Sequence, residues 1–451
     1  MKIAVIGDSL QSKVAAALLA SVGNSVLHFA ENNTVWAESN EPGLAELYRA
    51  QCEESRLRVS TSDEQGFEAG ELLFDFVLLA EISPEDALNR YHSLLMPTIN
   101  KGSCFIILTP SSIGEAQAFN AHLKSYVLKS ISNAHINEKT LDVHKETDEN
   151  HHALNSVCSV PLLLREGRAL SDFSRPDCIV VGCDNKNALS KVGGLFYPFN
   201  RVKNVIKSVS TREAEFACFA GHAMLATRLS FMNEMASLAE RSYVDIEVVR
   251  ECMGSDPRIG RDYLYPGCGY GGKALADNVS KIALELRERS DDLGLLETVA
   301  KINERQKDLI FRKIWKFFKG ELKGKTVAVW GASFKPGSAS IAGAPATSLI
   351  ESLVVNLANV KVFDPLASAT LIEYFGSSER VQVVESANET LEGADVLAIC
   401  TEWKSFWSPD FIALKSNLKY QAIFDGRNIL DPELVKQHGL RYFGIGRGES
   451  I

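Results

Sequence analysis

Two short apolar runs, each ending in glycine, constrain the fold of this chain more than any other feature. "KIAVIG" occupies residues 2–7, and "KTVAVWG" occupies residues 325–331 in the last third of the chain. Each run has the length of a buried strand, and the stretch after the first has the apolar spacing of a helix. A strand, a glycine turn and a helix in this order are typical of a parallel α/β sheet. The sequence therefore predicts one such sheet near each end of the chain.

Further strand-like runs and two long helical segments divide the chain into three parts. "SVLHFA", "FDFVLLA", "SCFIILT" and "DCIVVG" follow the first run, and "NVKVFDP", "ADVLAICT" and "AIFDGRN" follow the second. Residues 208–318 between them keep an apolar face at helical spacing. We expect an α/β protein with two Rossmann-like doubly wound domains joined by a long-helix linker, with domains at 1–200, 201–318 and 319–451.

Composition and charge exclude several classes of function. The net charge is -9 without a basic block, which argues against a nucleic-acid partner. No apolar run approaches the roughly 20 residues of a membrane helix, and the chain starts without the features of a secretion signal. The nine cysteines show no paired short spacing, which indicates reduced thiols rather than a disulfide framework or a zinc site. We expect a cytoplasmic protein with no nucleic-acid, membrane or metal partner.

The first glycine turn departs from the pattern that binds dinucleotides. A G-x-G-x-x-G turn lets backbone N–H groups approach a pyrophosphate, but residues 7–12 read "GDSLQS". An acidic residue is expected directly after the second strand, but that position is Ala30, and the acidic Glu31 comes one position later. We therefore expect NAD binding to be possible but weakened. The alternative is a purely structural turn. The candidate cofactor residues are Gly7, Ser9, Ser12, Glu31 and Ser83.

Nine short motifs, in order along nearly the whole chain, carry a resemblance to a known family. They are "EPGLAEL" (41–47), "LREGRALSDFSRPD" (164–177), "SFMNE" (230–234), "DPRIG" (256–260), "PGCGYGG" (266–272), "FKP" (334–336), "FDP" (363–365), "TEW" (401–403) and "DGRN" (425–428). With these motifs the sequence resembles the UDP-glucose/GDP-mannose dehydrogenase family. The resemblance implies an N-terminal NAD domain, a central helical domain that mediates dimerisation and a C-terminal UDP-sugar domain.

The resemblance also implies a reaction and the residues for it. Family members oxidise a sugar alcohol to a carboxylate with two NAD⁺, through a cysteine thiohemiacetal and a thioester, which requires a nucleophile, a cation, an amide and carboxylates. Here the family's loop G-F-G-G-S-C-F-P-K-D reads "GYGGKALADN" and its P-E-F-L-R-E-G reads "PLLLREG". Its A-E-x-x-K-Y-x-x-N reads "AEFACFAGH". Five catalytic positions are thereby replaced, by Leu162, Cys218, His222, Ala274 and Asn278, whereas Glu166 is retained.

Motifs expected to hold a UDP-sugar are better preserved. Glycine amides can approach a pyrophosphate closely, basic side chains supply cations, and Arg258 by resemblance reaches a sugar in the partner subunit. The alternative is that the glycines only preserve the shape of the loop. The candidate substrate residues are Arg258, Gly267, Gly269, Gly271, Gly272, Lys335 and Arg427.

Two other features suggest relocated chemistry. Cys218 and His222 lie four residues apart on a predicted helix, and a thiol beside an imidazole can form a thiolate nucleophile. The alternative is a buried inert thiol and a hydrogen-bonded histidine. Cys268 in the loop and Lys273 beside the empty nucleophile position are weaker candidates, more simply read as loop structure and an exposed lysine.

Three functions remain open from the sequence. The first is an inactive homologue, dimeric through the central helix, that binds a nucleotide sugar or an active relative in polysaccharide precursor metabolism. The second is an active NAD-dependent enzyme of the UDP-glucose to UDP-glucuronate type with a relocated catalytic site, for which Cys218 and His222 are the candidates. The third is a structural subunit of an assembly, without a ligand.

Overall fold

The chain forms two compact units, Met1–Cys218 and Phe219–Ile451. The computed structural model describes residues 1–30, 41–61, 72–80, 83–101, 103–134, 155–201, 203–289 and 294–449. Each unit contains an α/β sheet, which confirms the predicted fold class of two Rossmann-like parts. The division at 1–200, 201–318 and 319–451 stays a prediction.

Unit 1 alternates strands and helices along most of its length. Its strands are β1 (Lys2–Ile6), β2 (Ser25–Phe29), β3 (Leu57–Ser60), β4 (Phe76–Leu79), β5 (Cys104–Ile107), β6 (Ser156–Ser159), β7 (Ile179–Gly182) and β8 (Ile206–Val209). Its helices are α1 (Leu10–Ser21), α2 (Leu44–Glu53), α3 (Pro84–Arg90), α4 (His92–Lys101), α5 (Glu115–Ala134), α6 (Ala169–Ser174) and α7 (Lys186–Phe196), and α8 (Thr211–Arg241) begins in it.

The eight strands of unit 1 form one sheet in the order β3-β2-β1-β4-β5-β6-β7-β8. Strands β4, β5 and β6 are buried along their whole length, because helices cover both faces of a parallel sheet. The pairing is parallel except between β6 and β7, where the direction reverses. The order reverses at β1, so the turn after β1 lies at the switch point where such folds bind ligands.

Unit 2 begins with helices and ends with the second sheet. After α8 come α9 (Ile246–Gly254), α10 (Lys273–Arg289), α11 (Leu295–Lys307) and α12 (Leu309–Phe317). The sheet region contains β9 (Thr326–Trp330), α13 (Pro345–Val355), β10 (Asn359–Phe363), α14 (Ser368–Phe375), β11 (Val381–Val383), α15 (Ala387–Leu391), β12 (Val396–Ile399), α16 (Phe411–Asn417), β13 (Ala422–Asp425), α17 (Pro432–Gln437) and β14 (Arg441–Phe443).

The second sheet is entirely parallel, in the order β11-β10-β9-β12-β13-β14. Asp364, directly after β10, is fully buried at its switch point. Its Oδ2 accepts the N–H groups of Ala332 and Ser333 at 2.8 and 2.9 Å and the Trp403 indole N–H at 3.2 Å. Its Oδ1 accepts two further backbone N–H groups. One carboxylate therefore joins the turn after β9 to the segments after β10 and β12.

Helix α8 is the longest element and passes through the boundary between the units. Within unit 2 it carries Met224, Phe231 and Leu238, with exposed fractions of 61%, 44% and 50%. These residues are seven apart and so lie along one side of the helix. Within the described ranges, every helix is too short or too polar to span a lipid bilayer.

We expect Asp364→Ala to lower the free energy of unfolding of unit 2 by about 3 to 5 kcal/mol, because several buried N–H donors lose their acceptor. Urea unfolding followed by tryptophan fluorescence measures this. The matched control is Asp431→Ala, which removes an exposed cap of α17 that accepts two N–H groups and is expected to cost about 1 kcal/mol. Equal losses in the two variants would contradict the role given to Asp364.

Candidate functional site

The turn between β1 and α1 keeps the glycine geometry of a dinucleotide turn. Gly7 has φ +122°, and a Cβ there would stand 1.9 Å from the Ala80 carbonyl oxygen, so only glycine fits. Ser9 is the N-cap of α1, and its Oγ accepts the Ser12 N–H at 3.2 Å. The buried Ser12 hydroxyl donates back to the Ser9 carbonyl at 2.7 Å. The side chain of Ser9 therefore occupies an N–H group that the helix start would otherwise offer to an anion.

A buried histidine in the neighbouring strand β2 holds this turn by a hydrogen bond. His28 in β2 donates through Nε2 to the Gly7 carbonyl at 2.8 Å, and its Nδ1 accepts the Tyr48 hydroxyl at 2.6 Å. Burial lowers the pKa of His28 to about 4. The ring is therefore neutral at physiological pH, in agreement with one nitrogen that donates and one that accepts. Sequence reasoning missed His28, although a polar residue within an apolar strand is a signal for such a contact.

The remaining candidate cofactor positions either have contacts within the protein or lie outside the described residues. Ala30 is buried and has no polar group for a ribose hydroxyl. Ser83 caps α3, because its Oγ accepts the Asp86 N–H at 3.1 Å. Glu31 lies outside the described residues. The predicted cofactor roles of Gly7, Ser9, Ser12, Glu31 and Ser83 stay predictions.

The replaced catalytic positions in unit 1 lie in apolar surroundings. Leu162 packs against the core, and its N–H donates to the Leu108 carbonyl at 2.9 Å. Cys218 is buried, and desolvation raises the pKa of its thiol to about 12. A thiol with this pKa is protonated at neutral pH and is a poor nucleophile. Glu166, the retained carboxylate, belongs to the turn before α6.

A buried carboxylate, Glu41 of the "EPGL" motif, fixes this turn. Glu41 accepts the N–H groups of Gly167 and Leu170, at 2.6 and 3.4 Å. These amides lie around the start of α6, where a negative charge is favourable. Two distant motifs, "EPGL" and "LREG", are therefore in contact through one side chain.

In unit 2, two of the replaced positions bond to each other. Asn278 in α10 donates through Nδ2 to Nδ1 of His222 in α8, at 2.8 Å. Burial lowers the pKa of His222, which favours the neutral ring that this hydrogen bond needs. Ala274, the position of the family's nucleophile, lies in the first turn of α10. An alanine supplies no nucleophile, acid or base.

The loop at residues 266–272 is buried and is held by side-chain amides from the helices of unit 2. Asn233 Oδ1 accepts the Gly267 N–H at 2.8 Å, and Gln306 Nε2 donates to the Gly267 carbonyl at 2.7 Å. Asn303 accepts the N–H of Tyr270 at 2.9 Å and donates to its carbonyl at 3.0 Å. Because buried backbone groups need partners, these amides fix the path of the loop. Sequence reasoning did not identify Asn303 or Gln306.

The glycines of the loop are in close contact with their own unit. A Cβ on Gly271 would stand 2.6 Å from the Gly343 carbonyl oxygen, and one on Gly272 would stand 2.7 Å from the Phe334 ring. At Gly267 and Gly269 the nearest atoms would be 3.2 and 3.1 Å away. The Gly272 N–H donates to the Ala342 carbonyl at 3.0 Å. Packing therefore explains these glycines, and their contact with a pyrophosphate stays a prediction.

The candidate cations have different surroundings. Arg427 is partly buried and donates to the carbonyls of Cys400 and Gly269 at 2.7 and 3.0 Å, so it joins the loop to the second sheet. Lys335 lies 5.4 Å from the centre of the Phe334 ring. Arg258 is 87% exposed and pairs with Asp256 at 2.6 Å. Of these three basic side chains, that of Arg258 is the most exposed. The substrate roles of all three stay predictions.

Cys268 is a poor candidate for a shifted nucleophile because it is buried, although the hydrogen bond with Cys400 lowers the pKa of its thiol. Its thiol is fully buried and lies 3.9 Å from the Cys400 carbonyl oxygen, inside the core of unit 2. A substrate does not reach a thiol in such a position. In the described ranges, no group of three histidine, cysteine or acidic residues is arranged to hold a metal ion.

Two largely parallel α/β sheets, a dinucleotide-type glycine turn and a buried glycine loop define a protein built from two Rossmann-like parts. Two family models match: "UDP-glucose/GDP-mannose dehydrogenase family, central domain" at residues 212–305, and the same family's "UDP binding domain" at 328–432. A UDP-glucose 6-dehydrogenase of Pseudomonas aeruginosa is 32% identical over 463 residues, covering 99% of this chain and 98% of that protein. The chain therefore belongs to the UDP-glucose/GDP-mannose dehydrogenase family.

Other relatives and solved structures agree in extent and fold. UDP-glucose 6-dehydrogenase YwqF of Bacillus subtilis is 27% identical over 458 residues, with 99% of this chain and 98% of that protein covered. A UDP-glucose dehydrogenase structure from Pyrobaculum islandicum has a TM-score of 0.76 at 24% identity, covering 99% of this chain and 97% of that one. A UDP-D-ManNAc dehydrogenase structure from Pyrococcus horikoshii has a TM-score of 0.78 at 21% identity, with 99% and 100% covered. These structures show that the fold is shared.

The buried His28 predicts an acid-sensitive unit 1. Its pKa of about 4 lies below the ordinary value of 6.5, so the unfolded chain binds a proton more readily than the folded one. The stabilisation is present above pH 6.5 and is lost as the pH falls towards 4, by up to about 3 kcal/mol. Hydrogen exchange of the β1 and β2 peptides in increasing urea, at several pH values, measures it.

His28→Gln keeps a donor and an acceptor but does not titrate, so this variant is expected to lose most of the pH dependence in that range. The control is His438→Gln, at an exposed histidine of unit 2, which should behave as the wild type. An unchanged pH dependence in His28→Gln would show that another group causes it.

Proposed function

We propose that this protein is a catalytically inactive member of its family that binds a nucleotide sugar. The observation that carries the proposal is the hydrogen bond between Asn278 and His222, with alanine at position 274 one turn earlier. By the family resemblance, these three positions would supply a carboxylate, an amide and a nucleophile. Here the first two satisfy each other, and the third has no reactive atom.

The size of the expected loss supports this choice. Removal of a nucleophile from a cooperating site costs on the order of a million-fold in rate, or about 8 kcal/mol at the transition state. Leu162 and Cys218 also replace a carboxylate and a cation by groups that are neutral at physiological pH. Charges that appear in the transition state would therefore lack the groups that stabilise them.

The surroundings of Cys218 and His222 speak against a relocated catalytic pair. A useful thiolate needs a lowered pKa, whereas burial raises that of Cys218 to about 12. A proton-accepting imidazole needs a free nitrogen directed at the thiol, whereas Nδ1 of His222 accepts from Asn278. An active NAD-dependent enzyme remains the alternative that an activity measurement decides.

The turn after β1 supports weakened rather than absent cofactor binding. When NAD⁺ is bound, it is the group that accepts a hydride. Gly7 keeps the tight glycine turn of a dinucleotide fold, but Ser9 takes up the N–H of Ser12, and Ala30 offers nothing to a ribose. The residues of unit 1 therefore fit the cofactor only in part.

Binding of a nucleotide sugar is assigned to unit 2. The UDP-binding domain model of the family covers most of its second sheet, and the order of the parallel strands reverses at a switch point, where folds of this type bind ligands. Lys335 and Arg258 are the candidate cations for the diphosphate and the sugar. In this role the protein would sense or buffer a precursor of polysaccharide synthesis, alone or together with an active relative.

The stripe of Met224, Phe231 and Leu238 supports a homodimer formed through α8. Exposed apolar residues at seven-residue spacing on a long helix are typical of a helix-to-helix interface. The nine free cysteines support a reducing, cytoplasmic location.

We expect UDP-glucose injected into the protein with NAD⁺ to give discrete heats that saturate, without NADH absorbance. Arg258→Ala is expected to weaken binding by about tenfold or more, because a charge-assisted hydrogen bond is lost. The matched control is Arg441→Ala, at an arginine that is likewise exposed and paired with a carboxylate at 2.8 Å. Continuous heat with NADH formation would overturn the inactive assignment, and a flat trace would overturn sugar binding.

We expect Phe231→Asp to shift the protein from dimer to monomer, because a charge in the centre of an apolar interface is costly to bury. Sedimentation velocity at micromolar concentration measures the change. Ile372→Asp is the control, since Ile372 is 58% exposed on α14. A monomeric wild type, or a dimer that survives Phe231→Asp, would contradict an interface through α8.

A further inference from the structure

Three cysteines of unit 1 form a cluster of thiols. The Cys158 thiol donates to Sγ of Cys183 at 2.7 Å, and Sγ of Cys104 lies 3.8 Å from Sγ of Cys158. The three residues lie on or beside neighbouring strands, β5, β6 and β7. Residues from positions as distant as 104 and 183 are thus brought together only by the fold.

The strand register places Cys158 directly opposite Cys183. Ser159 pairs with Gly182 across the antiparallel junction of β6 and β7, so the next pair outward is Cys158 with Cys183. Directly opposed residues in an antiparallel pair have Cα atoms about 4.5 to 5.5 Å apart. A disulfide accepts Cα separations of about 4.4 to 6.8 Å. The backbone therefore needs no large movement to admit a bond between these two sulfurs.

The two thiols differ in access and in reactivity. Cys158 is fully buried, whereas Cys183 is partly exposed and lies just before the start of α7. The hydrogen bond from Cys158 lowers the pKa of the Cys183 thiol to about 7, and the Asn185 carbonyl, 3.3 Å from Cys183 Sγ, is a second hydrogen-bond partner. The partly exposed Cys183 thiol is thus the reactive one, and the buried Cys158 thiol is in contact with it.

The other cysteines in the described part of the chain lack this combination. Cys268 and Cys400 are both fully buried in unit 2. Cys178 and Cys252 are exposed but have no thiol within hydrogen-bonding distance among the described residues. Within the described ranges, Cys158 and Cys183 are the one pair in which an accessible thiol contacts a buried one.

We propose that Cys183 and Cys158 are a modification site that hydroperoxides oxidise to a reversible intrachain disulfide. The Cys183 thiolate attacks one peroxide oxygen, so that an S–O bond forms, the O–O bond breaks, and the leaving alkoxide or hydroxide takes up a proton. The sulfur of Cys158 then attacks the sulfenic acid, so that the S–S bond forms and water leaves with the thiol proton. Two electrons pass from the two sulfurs to the peroxide, and an external dithiol returns them.

The bond would cross-link the sheet where its direction reverses. Strand β6 belongs to the parallel part, and β7 belongs to the reversed pair with β8. Among the described residues, the sheet ladder between β6 and β7 consists of a single pair, Ser159 with Gly182. A covalent link beside it restricts the unfolded chain and resists separation of β7 from β6. Oxidation is therefore expected to raise the melting temperature of the protein.

The test treats the full-length protein with hydrogen peroxide, alkylates the remaining thiols and maps the peptides by mass spectrometry. The expected result is a linked peptide pair containing Cys158 and Cys183, a melting temperature raised by several degrees, and reversal of both by dithiothreitol. In Cys158→Ser, dimedone should instead trap a sulfenic acid at Cys183. If Cys158→Ser does not fold, Cys183→Ser serves, because its position is partly exposed, and it should show no link.

Two matched variants separate this site from general oxidation. Cys104→Ser removes the third thiol of the cluster and Cys252→Ser removes an exposed thiol elsewhere, and both should keep the link. The proposal fails if peroxide leaves Cys183 open to alkylation, if Cys158 links to Cys104 instead, or if Cys183 is overoxidised without a link in the wild type.

Discussion

A single buried carboxylate organises the switch point of the second sheet. Asp364 gathers N–H groups from the turn after β9 and from its own segment, together with the Trp403 indole. Each of these groups would cost free energy if it were buried without a partner, so the turn, the strand end and the "TEW" segment are stable only together. Asp425, at the end of β13, plays a similar part for the segment after it, since it accepts the N–H of Leu430 and the hydroxyl of Tyr442.

The turn after the first strand of each sheet is held by hydrogen bonds, but from different side chains in the two units. The residue directly after the second strand of each sheet is Asp364 in unit 2 but Ala30 in unit 1. Unit 1 therefore has no carboxylate at this position. Its turn is supported by the neutral ring of His28 and closed by the cap of Ser9. Both devices fix a backbone by hydrogen bonds within the protein. In unit 1 they also reduce the number of groups that remain for a ligand.

Sequence reasoning predicted the sheets well and the contacts between segments poorly. The long apolar runs of β1, β2, β4 and β5 are strong local signals, and the cap by Ser9 could have been recognised from helix-start preferences. Strand β6 reads "SVCS", with little apolar character, and its antiparallel pairing depends on residues distant in sequence. The bond between His222 and Asn278 joins two helices, and Asn303 and Gln306 meet the loop only after folding. A pattern along one segment contains no information on such meetings.

The path of α8 limits where this chain can be divided. The helix starts in unit 1 and ends in unit 2 without a break, so the boundary after Cys218 falls inside regular secondary structure rather than in a linker. A cut there would leave unit 1 with about two turns of helix, too short to be stable alone in water. Recombination between relatives would therefore be tolerated better before Thr211 or after Arg241 than within the helix.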